Sequence, residues 1–358
     1  MKKLCELLRL NKVDGLFGIE LECEGRDMHA SQLPAWNTTD DGSLRGRYPS
    51  ERAEFVLRKP LDKAAAIASV KKLFIEQEKY GAKFNFSHRC SVHVHVNVQD
   101  MNIVQLLNFF YLGMLFETPL MTYCGPERIG NLFCLRAIDA EYLIDHMRQA
   151  FRNRKVPIGH DNLRYSFMNV ESLRKYGSLE FRGMKGNKDV EFISRWLDML
   201  ASLKKAAMFY QNPRHIHDEF VRKSVHQFAL DIFGPQFAHL DYAGFQDDVR
   251  KSFSVTMDLP FEFVPDAMDN EEEGVINDGF GAPRGIIQDE LANIPIPEGV
   301  QRFEGIPAPA RNMPRALRPL QRDVLEERME QRRQEILREL REQHAAHQAA
   351  PAPEELDL

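Results

Sequence analysis

Cysteine is scarce and scattered: Cys5, Cys23, Cys90, Cys124 and Cys134 are odd in number and never form a CxxC pair. This argues against a disulfide framework or a thiolate zinc site and suits a reducing cytoplasm. Basic charge is not in excess either, because 47 Lys and Arg stand against 53 Asp and Glu, a formal net charge of -6. Without a broad positive field, no nucleic-acid partner is expected. Long apolar runs are also missing. The most apolar stretch, Ile103 to Phe116, contains Gln105 and Asn108 and falls short of the about 20 residues that a membrane span needs. It predicts a buried helix with Asp100 as its N-cap. The first residues, MKKLCELLRLNK, carry charges inside their apolar pattern and show no small-residue cleavage site. Neither export nor membrane attachment is expected, and the expected location is the cytoplasm.

What the chain does have is apolar content, at 43% of 358 residues, enough for a sizeable core. Residues 13 to 100 alternate strand-like stretches (LFGIELEC, AEFVL, VHVHVNV) with polar turns and one helical stretch, LDKAAAIASVKKLFIEQEKYG, whose Gly81 suits a helix C-terminus. Residues 101 to 155 read as helices, Ser178 to Met184 as another strand, and DVEFISRWLDMLASLKKAAMFY as a helix stopped by Asn212 and Pro213. The expected organisation is an α+β domain over 1–212, a helical extension over 213–278, a Pro/Gly-rich arm over 279–319, a charged helix over 320–345 and a disordered tail over 346–358. The narrow apolar stripe of that charged helix suits pairing with a second copy or a protein partner.

Chemistry concentrates on four strands. In CSVHVHVNVQD, Val92, Val94, Val96 and Val98 take one face while Ser91, His93, His95 and Asn97 take the other. GIELECEG is built the same way, with Ile19, Leu21 and Cys23 behind and Glu20, Glu22 and Glu24 in front. SLEFRGM places Glu180 and Arg182 in front of Leu179 and Phe181, and RAEFVL places Glu54 in front of Ala53, Phe55 and Leu57. Any one of these is explained by a sheet with a wet face. Four together, with hardly a lysine, gather like charges that repel unless cations sit among them. Glu24, at a strand end, is expected to tolerate replacement. The donors are carboxylate oxygens and at most two imidazoles, a set suited to Mg²⁺ or Mn²⁺, with iron or zinc open if both histidines bind.

Taken together, GIELE at Gly18–Glu22, W…DDGSL from Trp36 to Leu44, AEFVLRKPL at Ala53–Leu61, SVHVHVNV and YGSLEFRGMKG at Tyr176–Gly186 resemble the amidoligases of the glutamine-synthetase-like fold, carboxylate-amine ligases of phage and bacteria. The resemblance covers roughly residues 13 to 210 and is looser at Leu57–Pro60, where the family commonly has Ser-Pro. It implies a curved antiparallel sheet with helices on its convex side, and a concave face that binds ATP and Mg²⁺ or Mn²⁺. Carried over, Glu20, Glu22, Glu54, Glu180 and one or both of His93 and His95 look like metal ligands. His95, Asn97, Arg128 and Arg182 look like nucleotide contacts. Glu180, Arg182 and Asp41 look like participants in the reaction, with Asn169 a polar residue nearby. The implied reaction joins a carboxylate and an amine through an acyl phosphate. Two other readings stand beside it: a single-metal, cupin-like enzyme using the HxH pair, and a non-catalytic virion or assembly protein that retains the fold.

Overall fold

The computed structural model of the chain describes residues 1–156 and 165–263. The expected arm, charged helix and tail, with the end of the helical extension, lie outside the described residues. Seven strands, β1 (Phe17–Arg26), β2 (Trp36–Thr39), β3 (Arg52–Leu57), β4 (Lys83–Phe84), β5 (Ser91–Asn97), β6 (Met168–Asn169) and β7 (Ser178–Lys185), make one curved, unclosed antiparallel sheet. Its order is β2-β3-β1-β5-β7-β6, and β4 pairs with the end of β1. The helices are α1 (Leu4–Leu7), α2 (Lys63–Lys79), α3 (Ile103–Leu115), α4 (Glu117–Cys124), α5 (Glu141–Asn153), α6 (Ser172–Tyr176), α7 (Val190–Phe209), α8 (Pro213–Arg222), α9 (Val225–Phe233), α10 (Phe245–Thr256) and α11 (Leu259–Glu262).

Period-two alternation explains the sheet. Leu21 lies opposite both Phe55 of β3 and Val92 of β5, and Val94 lies opposite Ile19 and Phe181. All are buried. Their face is covered by helices, with α2 against β1, α7 against β5, α4 against β7, and α3 packed on α7. One strand breaks the alternation. Between Val92↔Met184 and Val94↔Phe181 the register of β5 and β7 shifts, so that Arg182 and Gly183 together face the single His93. This β-bulge keeps Arg182 on the polar side yet turns Met184 into the core, where strict alternation would have put it beside Arg182. Gly183 is required there, because a Cβ would sit 2.4 Å from the Phe167 ring.

Helix ends refine the expectations. Asp62 caps α2 by accepting from the Ala65 N–H at 2.8 Å. The cap of α3 is Asn102 rather than Asp100: Asn102 and Gln105 bond each other's backbone N–H groups at 2.9 and 3.0 Å. Asp100 instead pairs with Lys204 of α7 at 2.6 Å. Asn212 and Pro213 start a helix as well as following one. Asn212 caps α8 through the His215 N–H, and Pro213 takes the first helical position. The helices that follow join the same core. Phe116 is stacked on Phe228 and Phe245 and meets Phe233 edge-on, with centroids 4.9 Å apart. Among the described residues no single helix is long and apolar enough to cross a membrane. The bent pair α3 and α4 passes that test only jointly, across a 65° break, and α3 is buried along nearly its whole length.

At that break sits a buried acid. Glu117 is 1% exposed and accepts the Ala137 N–H at 2.6 Å. Burial nevertheless pushes its carboxyl up to about 8. An unfolded glutamate ionises near 4.5, so between those values the folded state holds a proton that the unfolded state has lost. Stability should therefore be full below the lower value and fall as pH rises through the upper one. Glu117→Gln should remove much of that fall. In urea titrations at pH 5 and pH 8.5 the variant should gain roughly 1–3 kcal/mol on the native protein at the higher pH relative to the lower. Parallel pH profiles would contradict the assignment.

Candidate metal centre

The apolar backs of the central strands fix which polar residues meet on the front. Glu20 lies opposite His93, Glu22 opposite Glu54, and Glu180 opposite both His95 and Asn169. Carboxylates and imidazoles from β1, β3, β5 and β7 thus share one patch.

Glu20 is its centre. One oxygen lies 3.1 Å from His95 Nε2 and the other 3.3 Å from His93 Nδ1. The second ring nitrogen of His93 reaches Glu22 at 3.7 Å, and its Nδ1 also lies 3.4 Å from Glu180. His95 Nδ1 meets the Ser178 hydroxyl at 3.1 Å, and the Tyr176 ring stands edge-on to the His95 imidazole. Glu180 accepts from Asn169 Nδ2 at 2.6 Å and from Arg182 Nη1. Glu54 accepts from the Thr39 hydroxyl at 2.5 Å. Two groups of ligand-type atoms result, Glu20 with His95 and Glu180, and Glu22 with Asp41 and Glu54, the atoms of each lying within 4.8 Å of one another.

The two groups differ electrically. Burial raises the Glu20 carboxyl, but hydrogen bonds with His93 and His95 outweigh it and hold Glu20 well below the usual carboxylate range. Burial works against Glu180 too, and the charges of His95, Arg182 and His93 bring it below its ordinary value. Burial lowers both imidazoles, yet the surrounding carboxylates more than compensate and leave them raised. In the second group burial wins: Glu22 stays raised despite His93, and Glu54 is raised by burial and by the charges of Glu20, Glu22 and Asp41. The first group is half neutralised by hydrogen-bonded imidazoles and Arg182, whereas among the described residues the nearest cationic group to the second is His93, 3.7 Å from Glu22. Both suit a divalent ion that prefers oxygen, since each offers two or three carboxylates and at most one imidazole.

Not every expected residue joins the patch. Asn97 gives its amide to the carbonyls of Val13 and Gly15 and accepts the Gln99 N–H. Arg128 is buried against the bulge, bonded to three backbone carbonyls and the Ser91 hydroxyl. Glu24 is not a free strand-end acid: it is 6% exposed and accepts the Arg45 N–H at 2.6 Å, which ties down the turn carrying Asp41. Its replacement should therefore be felt. Asp41 itself accepts from the backbone N–H and hydroxyl of Ser43 at 2.7 and 3.0 Å, a turn-stabilising role, while remaining in reach of Glu22 and Glu54. Thr39 and Ser178 went unnoticed in the sequence, where a hydroxyl near a strand end carries no distinctive signal.

Residues 26–203 match the family model described as "Putative amidoligase enzyme". This segment belongs to the amidoligase family. The match takes in Glu54, His93, His95, Glu180 and Arg182 of the patch, while Glu20 and Glu22 lie just before it on β1. No curated protein matches the chain.

The amidoligase patch makes an asymmetric prediction for the chelator-treated protein. Glu20→Gln should lose about 1–3 kcal/mol, because it removes a charge bonded to two imidazoles. Glu54→Gln should be neutral or stabilising by roughly 0.2–1 kcal/mol, because Glu22 and Glu54 are like charges directly opposite on paired strands. Urea titrations in excess chelator measure both, and equal losses would show that the two groups are not distinct.

Proposed function

We propose that this amidoligase-family domain is an ATP- and Mg²⁺-dependent carboxylate-amine ligase that works through an acyl phosphate. The observation that carries the reading is the sharing of one sheet face by two carboxylate-rich groups and an arginine: Arg182 bonds Glu180 and, through Nε, the Phe133 carbonyl at 3.3 Å. Family membership favours amide formation. The oxygen-rich donor set favours Mg²⁺ or Mn²⁺.

In this reading Glu20, His95 and Glu180 would hold one ion and Glu22, Asp41 and Glu54 another. Bound there, such ions supply charge neutralisation for phosphate oxygens. Arg182 is a delocalised cation whose position is set by Glu180 and the Phe133 carbonyl, and its remaining N–H groups stabilise the transferring phosphoryl group. A substrate carboxylate oxygen attacks the γ-phosphorus of ATP and ADP leaves. The amine nitrogen then attacks the acyl carbon, inorganic phosphate leaves, and the nitrogen's surplus proton passes to the departing phosphate or to water. His93, bracketed by Glu20, Glu22 and Glu180, links the two groups.

Purified protein with Mg²⁺, ATP, hydroxylamine and a panel of amino-acid and short-chain carboxylates should form a hydroxamate, read by its iron complex. Arg182→Lys should slow the reaction by about 100-fold, as an ammonium cannot reproduce a planar two-point contact. Stoichiometric iron or zinc surviving chelation, with no effect of ATP on thermal stability, would overturn the reading.

A further inference from the structure

Arg128 ends the short 3-10 turn Pro126–Arg128 that follows α4. It is one of the largest fully buried side chains in the protein. Among the described residues its guanidinium makes four hydrogen bonds, all to neutral acceptors: Nε to the Gly183 carbonyl at 3.2 Å, Nη1 to the His88 carbonyl at 3.1 Å, and Nη2 to the Arg182 carbonyl and the Ser91 hydroxyl at 3.0 Å each. Burying a charge among neutral groups is expensive, and an apolar residue of similar volume would fill the space at less cost. The explanation lies in what those acceptors are.

Arg182 and Gly183 are the two residues that the bulge sets against His93. A bulge disrupts the ladder and leaves backbone groups short of partners, and Arg128 takes both carbonyls. It also bonds the His88 carbonyl before β5 and the hydroxyl of Ser91, which shares β5 with His93. One buried guanidinium therefore ties the backbone from which Arg182 projects to the start of the strand that carries His93 and His95.

We infer that Arg128 is a positioning residue: it holds the β7 bulge so that Arg182 stands over Glu180, and it does so without touching substrate. This rests on the ligase reading only for what Arg182 does; the bracing itself is independent of it. The requirement is geometric, because a planar fork can serve two β7 carbonyls, the His88 carbonyl and the Ser91 hydroxyl of β5 at once whereas a lysine ammonium is a single point.

The test uses Arg128→Lys and Arg128→Gln in the full chain, each also combined with Arg182→Lys. The first readout needs no activity. In side-chain amide-type spectra of ¹⁵N-arginine-labelled protein, the Arg182 Nε–H signal, assigned by its loss in Arg182→Lys, should shift or broaden in both Arg128 variants. An unmoved signal would overturn the inference. The second readout is hydroxamate formation. Arg128→Lys should lower kcat and kcat/KM together by roughly 10- to 100-fold, and the double variant should be no slower than Arg182→Lys alone, since both changes remove one function. Additive losses would overturn the inference, as would failure of both Arg128 variants to fold, which would make Arg128 simply part of the core. The spectral response in the Arg128 variants, together with a wild type that forms no hydroxamate with any carboxylate, would count against the ligase reading and leave the bracing in place.

Discussion

A one-residue slip of β1 against β3 and β5 would turn Glu20 and Glu22 into the core and bring Ile19, Leu21 and Cys23 to the front. Everything on the polar face depends on that register being held. It is held from behind, by Leu21 wedged between Phe55 and Val92 and by Val94 between Ile19 and Phe181, with α2, α4 and α7 closing over them. The helices beyond Tyr210 contribute to the same core through Phe220, Phe228, Phe233 and Phe245. The core thus does more than stabilise the chain: it is what forces acids from β1, β3 and β7 and imidazoles from β5 into mutual reach.

That gathering works against the fold. Glu22 and Glu54 face each other across a strand pair, and burial removes the water that would screen them. Natural proteins retain such local conflicts mostly where function needs them. Here the protein answers half of the conflict itself, through two imidazoles around Glu20 and through Arg182 and Asn169 on Glu180. The other half, at Glu22, Asp41 and Glu54, is where the proposed reading would place a divalent ion. Glu117 is a further buried acid, remote in role, whose neutral form is the one the fold accommodates.

Much of the face was legible in the sequence because period two assigns sides without ambiguity: the fronts and backs of β1, β3, β5 and β7 read from the sequence are those of the structure. Alternation does not reveal which strands are neighbours, so the pairing of Glu20 with His93 or of Glu180 with His95 required the sheet. Nor does it anticipate an inserted residue. The bulge at Arg182 and Gly183 reverses the side of Met184, and its only sequence trace is a glycine. Residue type also fails to say where a polar group spends its hydrogen bonds. Asn97, Arg128 and Glu24 had the right chemistry for ligands, yet each is committed to backbone groups that the fold would otherwise leave bare. The cap of α3 lies two residues beyond the acid that the sequence offers for a related reason, since Asp100 meets a buried lysine instead.

The central claim is that the front of this sheet is incomplete without divalent cations, and the most direct measurement is the thermal stability of chelator-treated protein as Mn²⁺ is restored, with and without ATP. The account predicts a concentration-dependent rise, of about 2.7 kcal/mol at a hundredfold excess over the dissociation constant, larger with ATP present and lost in Glu22→Gln. A folded protein whose melting is indifferent to Mn²⁺ and ATP over the millimolar range would contradict it.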